Sequence, residues 1–277
     1  VINAVERGPT IGRIQGVVFD WAGTIIDFGS LAPMGAFVRL FANHGVTISI
    51  AQARVPMGLP KLAHIQQLGA APEIASQWQV VKGRTFNADD AQALLVEFEP
   101  MSAAAAIEHG AFVPGLLETY AWLKSQSIGV ATTTGYTRKI MTPLISTAAQ
   151  AGFHPALVIC CDDVERSRPD PMGMYLCMRA LGLDNGATVV KVDDTAPGLQ
   201  EAINAGCWTV GVAASGNALG WSWAQWQSAG EEARTVAVAA AGQTLRSAGA
   251  HVVIRTVADL QDAIEAIEAR ILQGEKP

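Results

Sequence analysis

The stretch Val17-Val18-Phe19-Asp20-Trp21-Ala22-Gly23-Thr24 constrains this chain more than any other. It follows Arg13-Ile14-Gln15-Gly16, so an apolar run ends abruptly in an acid. A run of that kind reads as a buried strand of a parallel sheet, and ligands of such sheets bind beyond the carboxyl ends of the strands. Asp20 therefore stands where a nucleophile or a metal ligand belongs. Gly23 and Thr24 let the backbone turn closely around a phosphate. Taken alone, the octet also fits an Asp that caps a strand-to-helix turn.

Two textures follow. Residues 1–13 read as a loose arm. From about 30 to 108 there is no good strand pattern. Pro33 opens a helix carrying Phe37, Leu40 and Phe41 on its apolar face, and Gly45 ends it. Ser49 caps a short helix to Arg54, helical pattern resumes near Pro60, and further helices are expected at about 72–81 and 88–108. From Gly110 onward strands and helices alternate. Strands are expected at 128–133, 156–160, 188–192, 208–212 and 251–254, with helices at 115–126, from Thr137, at 171–181, 197–205, through much of 221–247, and at 257–272. Alternation of this kind predicts an α/β fold with a doubly wound, mainly parallel sheet and right-handed crossovers. The expected division is a core of residues 1–29 and 109–277 with a helical cap, 30–108, inserted after the first strand. Trp221, Trp223 and Trp226 read as packing.

Composition narrows the function. The chain has 277 residues, 50% apolar and 16% charged, which supports a well-buried core. A net charge of −6 leaves no basic footprint for nucleic acid or an anionic membrane, though it permits a small anionic substrate in a locally positive site. Cys160, Cys161, Cys177 and Cys207 match no metal spacing and read as reduced, buried thiols. With no signal-peptide pattern and no apolar run long enough for a membrane span, a cytoplasmic location is expected.

Polar residues punctuate the strand ends. Asp20 closes the first strand, Thr134-Gly135 the second, Asp193-Asp194 the fourth, and Arg168 follows the third. One fold geometry brings all of them to one edge. Carboxylates there suit Mg²⁺, a hard ion that prefers oxygen ligands; Thr134 and the Gly135 amide suit phosphoryl oxygens; Arg168 suits developing charge. Each feature alone has a plainer reading, and Asp193-Asp194 also fits an acidic turn.

The ordered set resembles the haloacid dehalogenase superfamily of phosphohydrolases, and the resemblance covers nearly the whole chain. Phosphatases of that superfamily usually carry a second Asp two residues after the nucleophile, where this chain has Ala22. A carbon leaving group needs no such acid but does need an electron sink, which an amine supplies by forming an iminium. Lys61 is the candidate amine. His64, three residues on, shares its helix face and is the candidate for moving protons. By spacing alone Lys61 is also an ordinary solvated lysine.

Asp20-Trp21-Ala22-Gly23-Thr24, Pro56-Met57-Gly58-Leu59-Pro60-Lys61, Thr133-Thr134-Gly135-Tyr136-Thr137, Arg168-Pro169 and residues 206–212 closely resemble the phosphonoacetaldehyde hydrolase family. The resemblance implies cleavage of phosphonoacetaldehyde to acetaldehyde and phosphate in 2-aminoethylphosphonate degradation, with Mg²⁺ and a homodimer. It further implies that Asp20 is nucleophile and metal ligand, Lys61 the imine former, and Asp194 and the Ala22 carbonyl metal ligands. Tyr136 and Met57 are expected to shape the closed site. Some members carry an Asp where this chain has Gly198, and Asp193 is expected to supply the missing charge in support of the metal ligands. The alternatives are a Mg²⁺-dependent phosphate-monoester phosphatase on the same core, a non-catalytic binding protein with that fold, and, more weakly, a halide-releasing dehalogenase.

Overall fold

The computed structural model describes residues 12–277, so the expected arm lies outside the described residues apart from Gly12 and Arg13. Six strands form one sheet: β1 (Gly16–Phe19), β2 (Gly129–Thr133), β3 (Val158–Ile159), β4 (Val189–Asp193), β5 (Trp208–Val212) and β6 (Val252–Ile254). Their order is β3-β2-β1-β4-β5-β6, and every neighbouring pair is parallel. The chain winds outward from β1 to β3, then returns beside β1 as β4. That reversal opens a crevice between the carboxyl ends of β1 and β4, where ligands of such sheets bind.

All four residues of β1 are buried, because both sheet faces are covered. Val17 and Phe19 join a core made with α6 (Leu116–Ser125), α7 (Arg138–Gln150) and α12 (Leu260–Leu272). Val18 points the other way, into a core with α8 (Met172–Ala180) and α9 (Ala196–Asn204). α10 (Trp223–Ser228) and α11 (Glu231–Ser247) connect β5 to β6, and Leu245 of α11 packs with Leu199 and Ala213.

Between β1 and α6 the described chain is helical: α1 (Ala32–Asn43), α2 (Ile50–Arg54), α3 (Lys61–Ala70), α4 (Pro72–Lys82) and α5 (Ala88–Glu108). These helices bury an apolar core of their own, from Phe37, Phe41, Trp78, Leu94 and Phe98 among others. The Phe37 and Phe98 rings stack at 4.2 Å. Ser49 caps α2 in a reciprocal box with Gln52, and Asn87 caps α5 in the same way with Asp90.

Several local expectations are corrected. The third strand is two residues rather than five: after Pro155 the Ala156 amide still bonds Val130 O, but regular pairing begins only at Val158. Thr137 holds the N-cap position of α7, yet its buried hydroxyl has no partner among the described residues. Asp162 takes over by accepting from the Arg138 amide at 2.7 Å. Cys161, in the loop after β3, is only partly buried; the other three thiols are buried, and all four are free. Trp223 and Trp226 pack on Phe28 at 5.1 and 6.1 Å, with Trp223 still 40% exposed.

The helical core outside the sheet depends on its aromatic stack. Phe98→Ala removes a fully buried ring and is expected to lower stability by about 3–5 kcal/mol in urea unfolding followed by circular dichroism.

Candidate active site

The crevice at the β1–β4 switch collects the acids. The Asp20 amide bonds Val192 O, which sets the two strand ends side by side. Asp20, Asp193 and Asp194 are buried, and each offers a carboxylate oxygen within 4.8 Å of the others. Arg168 binds them together. Its Nη1 lies 2.9 Å from Asp20 Oδ1 and 3.4 Å from Asp193 Oδ2. Its Nη2 donates to Thr133 O and Oγ1, each at 2.8 Å, and its Nε donates to Glu201 Oε2 at 3.0 Å. Lys191, fully buried in β4, lies 3.4 Å from Asp193 Oδ2 and 3.5 Å from Glu201 Oε2.

Burial dominates the titration here. It pushes Asp20 up to about 7, reinforced by Asp193 and opposed by Arg168 and Lys191. Burial, then the Asp20 and Asp193 charges, raises Asp194 well above the usual carboxylate range. Burial works against charge on Arg168 too, but Asp193, Asp20 and Glu201 outweigh it and hold the guanidinium charged. Asp194 accepts from the Asn217 amide at 2.7 Å, while Asp193 Oδ1 accepts from the amide and hydroxyl of Thr195 at 2.9 and 2.7 Å. A Cβ at Gly198 would lie 1.9 Å from Asp193 Oδ2. The Asp193 carboxylate thus fills the space that a side chain at 198 would need, which is a steric reason for the Asp193 and Gly198 pairing.

The helical segment closes the crevice from above. Asp20, Ala22, Met57, Lys61, Thr134, Gly135, Tyr136 and Arg168 line one cavity of about 20 Å³, room for roughly one water. Lys61 opens α3 and is 4% exposed, with Nζ 4.9 Å from the Tyr136 ring centroid and 5.7 Å from that of Phe37. Burial lowers its pKa to about 8, against the opposing pull of Cys161 and Asp20. Burial also raises the Tyr136 phenol, with Asp27 and Asp20 adding to it, so the hydroxyl is neutral. The Thr134 hydroxyl accepts from the Tyr136 amide at 3.2 Å.

His64 does not line the cavity. It stacks on Phe37 at 3.9 Å, and its Nε2 lies 2.9 Å from Ala53 O. A carbonyl partner requires the proton on Nε2, which leaves Nδ1 as an acceptor without a partner among the described residues. Burial, and then the nearby Lys61, drives the ring down to about 2, so it is neutral at any ordinary pH.

The structure therefore brings together all the expected strand-end residues and the expected amine. Sequence reasoning missed Lys191, Glu201, Thr195 and Ser30. Lys191 had a signal: a charge inside Val189-Val190-Lys191-Val192, a strand buried at every position. Glu201 had a weaker one, since the buried Leu199 and Ala202 straddle it on α9.

The four buried carboxylates Asp20, Asp193, Asp194 and Glu201 outnumber the two cations, Arg168 and Lys191, that form ion pairs among them. A cluster of three carboxylates offering only oxygen donors within 4.8 Å of one another fits a divalent metal ion.

A family model described as haloacid dehalogenase-like hydrolase matches residues 14–206. The chain is 42% identical over 265 residues to a phosphonoacetaldehyde hydrolase of Paraburkholderia phytofirmans, covering 96% of this chain and 99% of that protein. It is 42% identical over 269 residues to one from Salmonella agona, covering 96% and 100%. A crystal structure of a phosphonoacetaldehyde hydrolase-like protein from Oleispira antarctica superposes with a TM-score of 0.94 at 36% identity, covering 99% of this chain and 100% of that one. The chain is an enzyme of the haloacid dehalogenase-like hydrolase class. Within that class it belongs to the phosphonoacetaldehyde hydrolase family.

The raised pKa of Asp20 makes the metal-free state pH-sensitive. The folded protein binds a proton there more tightly than the unfolded chain does, so this stabilisation is complete below about pH 3.8 and is lost as pH rises towards about 7. In chelator the thermal midpoint is expected to drop by roughly 5–10 °C between pH 5 and pH 7.5. Added divalent cation should abolish that drop in the same melting experiment.

Proposed function

We propose that this chain hydrolyses the carbon–phosphorus bond of phosphonoacetaldehyde, releasing acetaldehyde and phosphate. One observation carries the reading: the buried Lys61 amine and the Asp20 carboxylate line a single small cavity, while position 22, where a leaving-group acid would sit, is alanine.

Lys61 attacks the substrate aldehyde as a neutral amine, and loss of water gives an iminium. A pKa near 8 makes a useful fraction of the amine available at neutral pH. His64 stays neutral, with its Nε2–H held by Ala53 O and its ring stacked on Phe37, over which the Lys61 amine also lies, so it packs behind the amine. Asp20 then attacks phosphorus in line. The carbon–phosphorus electron pair moves into the iminium, leaving an enamine on Lys61 and an acyl phosphate on Asp20. Water hydrolyses the acyl phosphate to release phosphate. Protonation of the enamine carbon followed by imine hydrolysis frees acetaldehyde and restores Lys61, so one water is consumed overall.

Arg168, Thr134 and the Gly135 amide meet the phosphoryl oxygens, and Lys191 with Glu201 holds Arg168 in place. Asp20, Asp194 and the Ala22 carbonyl would hold Mg²⁺, which when bound neutralises charge between the nucleophile and the phosphoryl group. Asp193 supports that set from the Thr195 side. The cavity is too small for the substrate, so the helical segment 30–108 acts as a cap that lifts for entry and closes for chemistry, with Met57 and Tyr136 shaping the closed site.

The family likeness also supports a homodimer and a place after removal of the amine from 2-aminoethylphosphonate. Free, protonated thiols suit a cytoplasmic location. No described helix is long and apolar enough to cross a membrane.

Lys61→Arg keeps the charge but cannot form the imine. Phosphate release from phosphonoacetaldehyde is expected to fall by at least roughly 10³-fold with the circular dichroism spectrum unchanged. Retained activity, or faster release from phosphate monoesters by the wild-type chain, would refute the reading. In the wild-type enzyme kcat/KM is expected to rise with pH and level off above about 8, where an ordinary lysine would level off above about 10.

A further inference from the structure

At the seam between the helical segment and the sheet sits a half-buried cation that the chemistry above does not use, Arg54. Arg54 ends α2 and reaches across to two separate stretches of the other side. Its Nη1 donates to Gly29 O at 3.0 Å, Ser30 O at 3.5 Å, Asn217 O at 3.4 Å and Asn217 Oδ1 at 3.0 Å. Its Nη2 donates to Gly220 O at 3.2 Å. Asn217 Nδ2 answers with a 3.5 Å contact to Arg54 O. Only a guanidinium presents donors in a rigid fork of this breadth.

The two stretches it joins matter. Gly29 and Ser30 lie on the connection that enters the helical segment, and Ser30 lines the cavity. Asn217 and Gly220 lie in the loop after β5, and the Asn217 amide is the one that donates to Asp194. On the other flank, Arg54 leads into Val55-Pro56-Met57-Gly58-Leu59-Pro60-Lys61, where two prolines stiffen the backbone. Fixing Arg54 thus fixes the approach of Lys61. Gly58 in that stretch presses on the sheet side so closely that a Cβ there would meet Thr195 Oγ1 at 2.3 Å, and Gly135 lies beneath the carbonyls of Gly58 and Leu59.

We propose that Arg54 is a positioning residue that latches the cap shut, by bonding to the loop that also holds the metal-binding carboxylate Asp194. The latch forms only when α2 sits on loop 215–220, so closure, the placing of Lys61 and the bracing of Asp194 occur together. This rests on the proposed role of Lys61, but the latch can be tested without any turnover.

The test is hydrogen–deuterium exchange on the full chain with Mg²⁺, comparing wild type, Arg54→Met and Arg54→Lys. If Arg54 latches the cap, the amides of Gly135 and Tyr136, across the seam from the mutated side chain, should exchange roughly tenfold faster or more in Arg54→Met. Arg54→Lys should fall between, because a point charge satisfies fewer of the carbonyls. The β1 and β4 amides should stay as in wild type. Faster exchange confined to α2, with residues 134–136 unchanged, would mean that Arg54 only stabilises its own helix and would overturn the proposal. If Arg54→Met loosens β1 and β4 as well, the same comparison is read from Asn217→Ala, which removes one acceptor; unchanged exchange at 134–136 there overturns the proposal too. Absence of turnover in the wild-type chain would refute the proposed function and leave this measurement standing.

Discussion

Arg168 is the interaction on which the rest of the site depends. Three acids from two strand ends and a fourth from α9 are buried together, which mutual repulsion and lost hydration would forbid without buried partners. The guanidinium touches Asp20, Asp193 and Glu201 at once and anchors itself on Thr133. Lys191 closes the network from beneath. Even so the four acids outnumber the two cations paired among them, and a divalent ion would favour their charged forms. Stability, metal affinity and the ionisation of Asp20 are therefore one electrostatic problem.

The fold supplies the address for that problem. Because β4 returns beside β1, Asp20 and Asp194 emerge side by side from strands far apart in sequence. The same reversal leaves room for a helical insert directly above. Placing the amine on the insert rather than on the sheet has a physical consequence. Lys61 is dry here, with a lowered pKa, so under the proposed mechanism, in which the cap opens and closes, the nucleophilic amine is produced by the same motion that excludes water.

Much of this was legible in the sequence because it was local. The abrupt Val-Val-Phe-Asp ending, the β-branched strands and the Pro and Gly punctuation placed the elements, and the ordered acids and Thr134 placed the sheet edge. What escaped was set by three-dimensional packing. β3 shrank because an edge strand after Pro155 pairs irregularly. Thr137 lost its cap bond to Asp162, 25 residues downstream. Glu201 and Arg54 look like ordinary helix charges until the folded chain shows what they face. His64 shares the helix of Lys61 as expected, but it lies outside the cavity, and burial holds neutral a ring that was expected to move protons.

The most direct test of the central claim, that Lys61 condenses with an aldehyde held over Asp20, is borohydride reduction of the enzyme in the presence of phosphonoacetaldehyde, followed by peptide mass mapping. The account predicts a single stable adduct on Lys61 and loss of activity in step with its formation. Phosphate release with no adduct on Lys61 would contradict it.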